Sequence, residues 1–123
     1  VAAVRVLECD LFRETAAIHL KPGSSTEESF QNFIATKIQN PIASYGKSDK
    51  ANPAGTPMAQ YVPKIRHAHL THDISIFYTI SGSNPSELRL YGVLTHDEAG
   101  TGQPVNNKRQ KSVAKRFSNQ DFN

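Results

Sequence analysis

The chain has 123 residues, of which 37% are hydrophobic and 20% charged, and a net charge of +3. That length suits one domain with its own core and excludes two comfortable ones, while the composition excludes a collagen, a coiled coil and a wholly disordered chain. No apolar run approaches the ~18–20 residues of a bilayer span, no signal peptide is visible, and the single cysteine, Cys9, excludes an internal disulfide.

One domain over residues 1–123, cytoplasmic and without membrane contact, is therefore expected. The oligomeric state is not legible. The first residue is Val1 rather than Met, so the N-terminus is taken as processed, trimmed or cut from a longer chain.

"VAAVRVLECDLF" opens the chain and reads as a first strand, with Cys9 as a small buried side chain. "TAAIHL" (15–20) is open between a strand and a helical turn. Pro22-Gly23 then breaks the chain, and Ser25 with Glu28 has the spacing of a capping box. Phe30, Phe33, Ile34 and Ile38 follow on one helical face, and Asn40-Pro41 ends the helix. Residues 43–62 carry Gly and Pro without periodicity, which predicts a long loop of the functional or mobile kind.

Three strands are expected next, over 64–70, 74–80 and 87–94. The tight "TH" connection and the turn "SGSNPS" make them an antiparallel meander. Pro104 is suited to the first position of a closing helix. That helix carries five basic residues and no acid before Phe117: Lys108, Arg109, Lys111, Lys115 and Arg116. Lys108, Lys111 and Lys115 share one stripe, with Val113 and Phe117 roughly opposite. The tail over 118–123 is expected to fray. Helices segregated from an antiparallel sheet make the fold class α+β.

The chemistry concentrates in "PKIRHAHLTHD" (63–73), with a second "THD" at 95–97. In a strand, His67 and His69 project to one face and Arg66 to the other. His72 falls in the turn. His96 stands at the end of the last strand, and its convergence on the other two depends on register. Three readings stay open: a metal site, plain strand surface, or acid–base and phosphate chemistry, for which imidazoles titrating near neutrality are suited. Lys64, Arg66, Arg89 and the lysine stripe favour phosphate contacts. Tyr61, Tyr78 and Tyr91 are candidate stacking residues, and Asp73, Asp97 and Glu98 candidate histidine orienters.

The order of elements resembles the YafO-like branch of the RelE/ParE superfamily of toxin–antitoxin ribonucleases. The residues that carry this are "VRVLECDLF", the helix "STEESFQNFIATKI", "SYGKSDKAN" in place of an aromatic-Gly-basic motif, "RHAHL" in place of His-x-His-Leu, and the basic helix "NNKRQKSVAKRF". The resemblance implies a RelE-like α+β sheet with a helix of the N-terminal half packed on it and a basic C-terminal helix. It also implies an mRNA-cleaving toxin of the ribosomal A site, in which the 2′-OH attacks the adjacent phosphate. A cognate antitoxin, mRNA and the ribosome would be its partners, with no metal and no cofactor.

Carried onto this chain, the implied catalytic positions are His67, His69 and His96, with His67 or His69 as base and His96 as acid or charge stabiliser. Lys64, Arg66, Arg89, Lys108, Arg109, Lys111 and Lys115 would contact RNA, and Tyr61 and Tyr91 would stack. The chain departs from the pattern twice: "ISIFY" has no Arg on the second middle strand, and the helix closes on Phe117 where many relatives place Tyr. A ParE-like blocker of a protein target and a metal-dependent enzyme using the three histidines are the alternatives.

Overall fold

A computed structural model describes residues 3–45 and 49–123. Gly46 and Lys47 of the aromatic-Gly-basic motif lie outside the described residues. The elements run β1 (Val4–Leu7), α1 (Asp10–His19), α2 (Ser25–Gln39), β2 (Lys50–Ala51), α3 (Pro57–Tyr61), β3 (Arg66–His69), β4 (Ile74–Ser81), β5 (Ser86–Thr95), α4 (His96–Ala99) and α5 (Asn107–Ser118). They form a five-stranded sheet in the order β1-β5-β4-β3-β2 with helices packed on it, an α+β architecture consistent with a RelE-like order of elements. Strands β2 to β5 pair antiparallel as expected. β1 instead joins β5 in parallel, so the sheet is mixed.

The first strand is shorter than its apolar pattern suggests. The Cys9 Sγ accepts the N–H of Phe12 and caps a helix there, and "TAAIHL" supplies the second half of that helix. α1 runs along the outer edge of β5 beyond the end of β1, where backbone groups would otherwise lack partners. Thr15 Oγ1 accepts the N–H of Val93 at 3.0 Å. The Cys9 thiol donates to the Leu90 carbonyl at 3.5 Å, and burial pushes its pKa up.

α2 begins one residue earlier than the Ser25/Glu28 spacing predicts. Ser24 accepts the Glu27 N–H, and the Glu27 carboxylate accepts the Gly23 N–H; "SSTEE" offers both registers, and the Pro22-Gly23 turn delivers the chain to the first. Phe33 is fully buried, but Ile38, expected on the same face, is 48% exposed. Lys37, one turn from Phe33, takes the inward position. Asn40 ends the helix as expected.

The two faces of the sheet have separate covers. Phe33 of α2 meets Tyr78 at 5.0 Å between ring centroids, while Phe117 of α5 meets Phe77 at 5.7 Å. The register shifts between Phe77, paired with Gly92, and Tyr78, paired with Leu90, so Tyr91 of β5 is the extra residue of a bulge. Gly92 admits the Phe117 ring, since a Cβ there would stand 3.2 Å from it. Full burial of each of these rings contributes about 2–3 kcal/mol.

α5 starts at Asn107, not at Pro104. Asn106 caps it by accepting the Arg109 N–H, and Pro104 lies in the preceding loop. Its inward residues are Gln110, Ala114 and Phe117. The expected long loop over 43–62 contains β2 and α3. The tail is also held: Phe122 packs edge-on against Tyr91 at 4.7 Å, and Glu8 and Asn123 exchange backbone hydrogen bonds at 2.9 Å. Among the described residues no helix is long and apolar enough to cross a membrane.

Candidate functional site

In the antiparallel pair β3–β4, His67 lies opposite Phe77 and His69 opposite Ser75. These four side chains share the sheet face that α5 covers. β5 then ends in a capping box at Thr95 and Glu98, which turns the chain into α4. The Ile74–Thr95 pairing closes the β4–β5 ladder, and the His96 N–H donates to the Asp73 carbonyl at 3.0 Å. This is the register on which convergence depended. His96 stands beside His69, ring centroids 5.0 Å apart and edge-on, and His69 stands 5.7 Å from His67.

Each end of this row has an orienting partner. His67 Nδ1–H donates to Asn52 Oδ1 at 2.7 Å, which leaves the lone pair on Nε2. His96 Nδ1 faces the Asp73 carboxylate at 3.7 Å. Burial, the neighbouring His69 and the Lys50 charge push the His67 pKa down to about 4. Burial and His96 also lower that of His69, against a backbone hydrogen bond at Thr71. Both imidazoles are therefore neutral at physiological pH, the form that accepts a proton.

The row forms one wall of a cavity of about 960 Å³. Ser75 and Phe77 of β4, Lys108 and Lys111 of α5 and Lys50 of the edge strand line it together with the histidines. Gly100 holds the α4–α5 corner together with φ 74°; a Cβ there would lie 2.5 Å from the Asn106 carbonyl oxygen. Among the described residues no three His, Cys, Asp or Glu side chains are grouped to hold a metal ion.

The other sequence-derived candidates are distributed elsewhere. Arg66 faces the opposite side of the sheet, where it donates to the Tyr78 hydroxyl at 3.4 Å. Tyr78 is fully buried there and hydrogen-bonds Asp49, so it offers no stacking face. Lys64 and Arg89 line a separate hollow of about 320 Å³ with Tyr61 and Tyr91. In it Arg89 is paired with Glu87 at 3.1 Å, and Tyr91 is buried under Phe117 and Phe122. Lys115 lies over the Tyr61 ring at 5.9 Å. Arg109 pairs with Asp97 at 2.9 Å. Of the carboxylates, Asp73 serves His96, while Glu98 accepts from His19 at 2.8 Å. His72 is exposed in the β3–β4 turn.

Sequence reasoning missed Lys50, Asn52, Ser75 and the group beneath them. Lys50 and Asn52 alternate as His67 and His69 do, but a two-residue strand is too short to show a period. On the opposite face, Lys37 Nζ meets the Asp49 carboxylate at 2.7 Å, with side chains 2% and 0% exposed. Burial alone would raise the Asp49 pKa; hydrogen bonds from Lys37 and Tyr78 outweigh it and hold the carboxyl below the usual range. This buried pair anchors the edge strand whose next residues, Lys50 and Asn52, serve the histidines.

No family model, curated protein or solved structure matches the chain.

Proposed function

We propose that this protein is an endoribonuclease toxin of the ribosome-dependent kind, cleaving mRNA by attack of a 2′-OH on the adjacent phosphate. The observation that carries the reading is the row His67–His69–His96, oriented at its ends by Asn52 and Asp73, in a cavity that Lys108 and Lys111 also line. RNA transesterification needs a base for the 2′-OH, an acid for the leaving 5′ oxygen and positive charge around the phosphate between them.

In this arrangement His67 Nε2 takes the 2′-OH proton while O2′ bonds to phosphorus. The bond from phosphorus to O5′ breaks, and O5′ receives a proton from His96. The products are a 2′,3′-cyclic phosphate and a free 5′-OH. His69 lies between the two and, with Lys50, Lys108 and Lys111, meets the charge on the phosphate. These lysines would supply positive charge that relatives in the superfamily often draw from an Arg on the second middle strand, which "ISIFY" lacks. The ribosome as the site of action, mRNA as substrate and an antitoxin as the silencing partner rest on the resemblance.

Transcripts mapped by primer extension in a translating extract test the proposal. Wild-type protein should produce new 5′ ends only when ribosomes are present, and His67→Ala and His96→Ala should each reduce cleavage by about 10²–10⁴-fold. Full cleavage by a folded His67→Ala/His96→Ala variant would overturn the assignment of roles. Growth arrest with intact transcripts would favour a blocker of a protein target instead.

A further inference from the structure

Ion pairing divides the cations of this chain. Every arginine has a carboxylate within 4.0 Å, whereas among the described residues Lys37 is the only lysine that has one. The unpaired positive charge is therefore on lysines, and two of them, Lys64 and Lys115, stand outside the histidine cavity, beside Tyr61. Lys64 is also held against its backbone preference. The Ile65 N–H donates to the Val62 carbonyl at 3.2 Å, closing a turn with Pro63 in its second position and Lys64, at φ 65°, in its third. That is the type II pattern, whose third position favours Gly or Asn. A lysine kept there at a cost in strain points to a use for its side chain.

Lys64 lines the hollow of about 320 Å³ together with Arg89. The Arg89 guanidinium is fixed by Glu87, 3.1 Å from both Nε and Nη2, and by the Phe122 ring at 5.3 Å; among the described residues its Nη1 has no partner. The hollow lies on the same face of the sheet as the histidine row: His67 pairs with Phe77, and Thr79, two residues on, pairs with Arg89. α5 crosses this face, with Lys111 lining the cavity and Ser118 the hollow. Lys115, one turn beyond Lys111, reaches the Tyr61 ring. From Ser75 at the cavity to Thr79 at the hollow is about 13 Å along the strand, or about four nucleotides of a stacked strand at about 3.4 Å each.

We infer that this hollow is a second, non-catalytic phosphate site, which anchors an RNA strand about four nucleotides from the bond that is cut. The nuclease reading supplies RNA as the polyanion; the unpaired Lys64 and Lys115 and the preset Arg89 supply the anchor. Each phosphate met by such a cation releases a counterion, so the anchor is read in the salt dependence of binding.

The test is fluorescence anisotropy of labelled single-stranded RNAs of two and of eight nucleotides with the purified full chain, without ribosomes, across a salt series. The longer RNA should bind at least about tenfold tighter than the shorter one. Lys64→Gly and Lys115→Gln should each flatten the slope of log Kd against log salt by about 0.7 for the longer RNA, which at about 0.1 M salt is an about fivefold loss of affinity. Neither should alter binding of the shorter RNA. Arg116→Gln, whose guanidinium is paired with Glu14 at 3.6 Å, should leave the slope unchanged. Lys64→Gly should also leave the melting temperature unchanged or raise it, since glycine suits φ 65°; a lysine with only a structural role would not combine a steady fold with weaker binding.

Equal affinity for the two lengths would overturn the inference, as would an unchanged slope in Lys64→Gly or a slope flattened equally by Arg116→Gln. So would the absence of RNA binding by a protein that cleaves mRNA on ribosomes; that outcome leaves the nuclease reading standing. The expected slopes with no cleavage in the translating extract support the anchor and overturn the nuclease reading.

Discussion

Replacing Lys37 by Met tests the buried clamp most directly. Met keeps the length and apolar stem of the side chain but removes the cation that meets the Asp49 carboxylate at 2.7 Å. Asp49 would keep the Tyr78 hydroxyl and the Tyr45 N–H, with Arg66 Nε at 3.9 Å, too far for a hydrogen bond. Breaking a buried ion pair on one side costs about 3–5 kcal/mol, and the partners that remain place this case near 3 kcal/mol. Native stability for a domain of this kind is about 5–15 kcal/mol, so the variant folds but its urea midpoint falls by about 1–2 M.

The pH dependence carries more information than the midpoint. In the wild type the folded Asp49 pKa is depressed. Its contribution is therefore present above the unfolded carboxyl value of about 3.9 and is lost as pH falls through the folded value. Without Lys37 the uncompensated effect of burial raises the pKa, and the sign reverses: protonation relieves the buried charge, and the deficit relative to wild type shrinks from pH 7 toward pH 4. Lys37→Met/Asp49→Asn removes that charge altogether and should be more stable at pH 7 than Lys37→Met alone. Urea unfolding followed by circular dichroism at pH 4, 5.5 and 7 measures all three. A Lys37→Met variant within about 1 kcal/mol of wild type at pH 7, with a pH-independent difference, would refute the reasoning.

His67, held down at about 4, contributes stability that is fully present above the unfolded pKa of about 6.5 and is lost as pH falls from there to 4; after allowance for partial solvent screening this is about 2 kcal/mol. Unfolding of His67→Gln between pH 4 and 7 should lack that slope, and an unchanged slope would assign it to another group. Gly100→Ala places a Cβ in the left-handed region and 2.6 Å from the Gln110 nitrogen, which should cost about 3 kcal/mol in thermal unfolding; a loss under 1 kcal/mol would show that the α4–α5 corner yields easily. Phe122→Ala should cost about 1–2 kcal/mol through its contact with Tyr91, and no change would mean that the tail adds nothing to the fold.

Much of the frame was legible because it rests on local rules. The α2 helix, its stop at Asn40-Pro41, the β3–β5 meander and the basic α5 follow from capping, proline geometry and periodicity, which act over a few residues. The errors are local too: Ser24 competes with Ser25 as cap, and Asn106 displaces Pro104 as the start of α5. Lys37 and Ile38 show the limit more sharply. Periodicity assigns the apolar residue inward, yet the lysine is buried because Asp49, twelve residues away, waits for its charge. The tail was expected to fray because nothing within its own sequence holds it; its partners, Glu8 and Tyr91, are remote.

The candidate site divides along the same line. Strand alternation by itself placed His67 and His69 on one face and Arg66 on the other, because the side-chain period of a strand is a property of the backbone. Whether His96 joined them, which lysines lined the same cavity, that Asn52 and Ser75 belonged to it, and that Asp73 stood beside His96 were decided only by tertiary structure. Register, the turn into α4 and the docking of α5 are set by contacts between segments tens of residues apart, and no window of sequence contains both sides of such a contact.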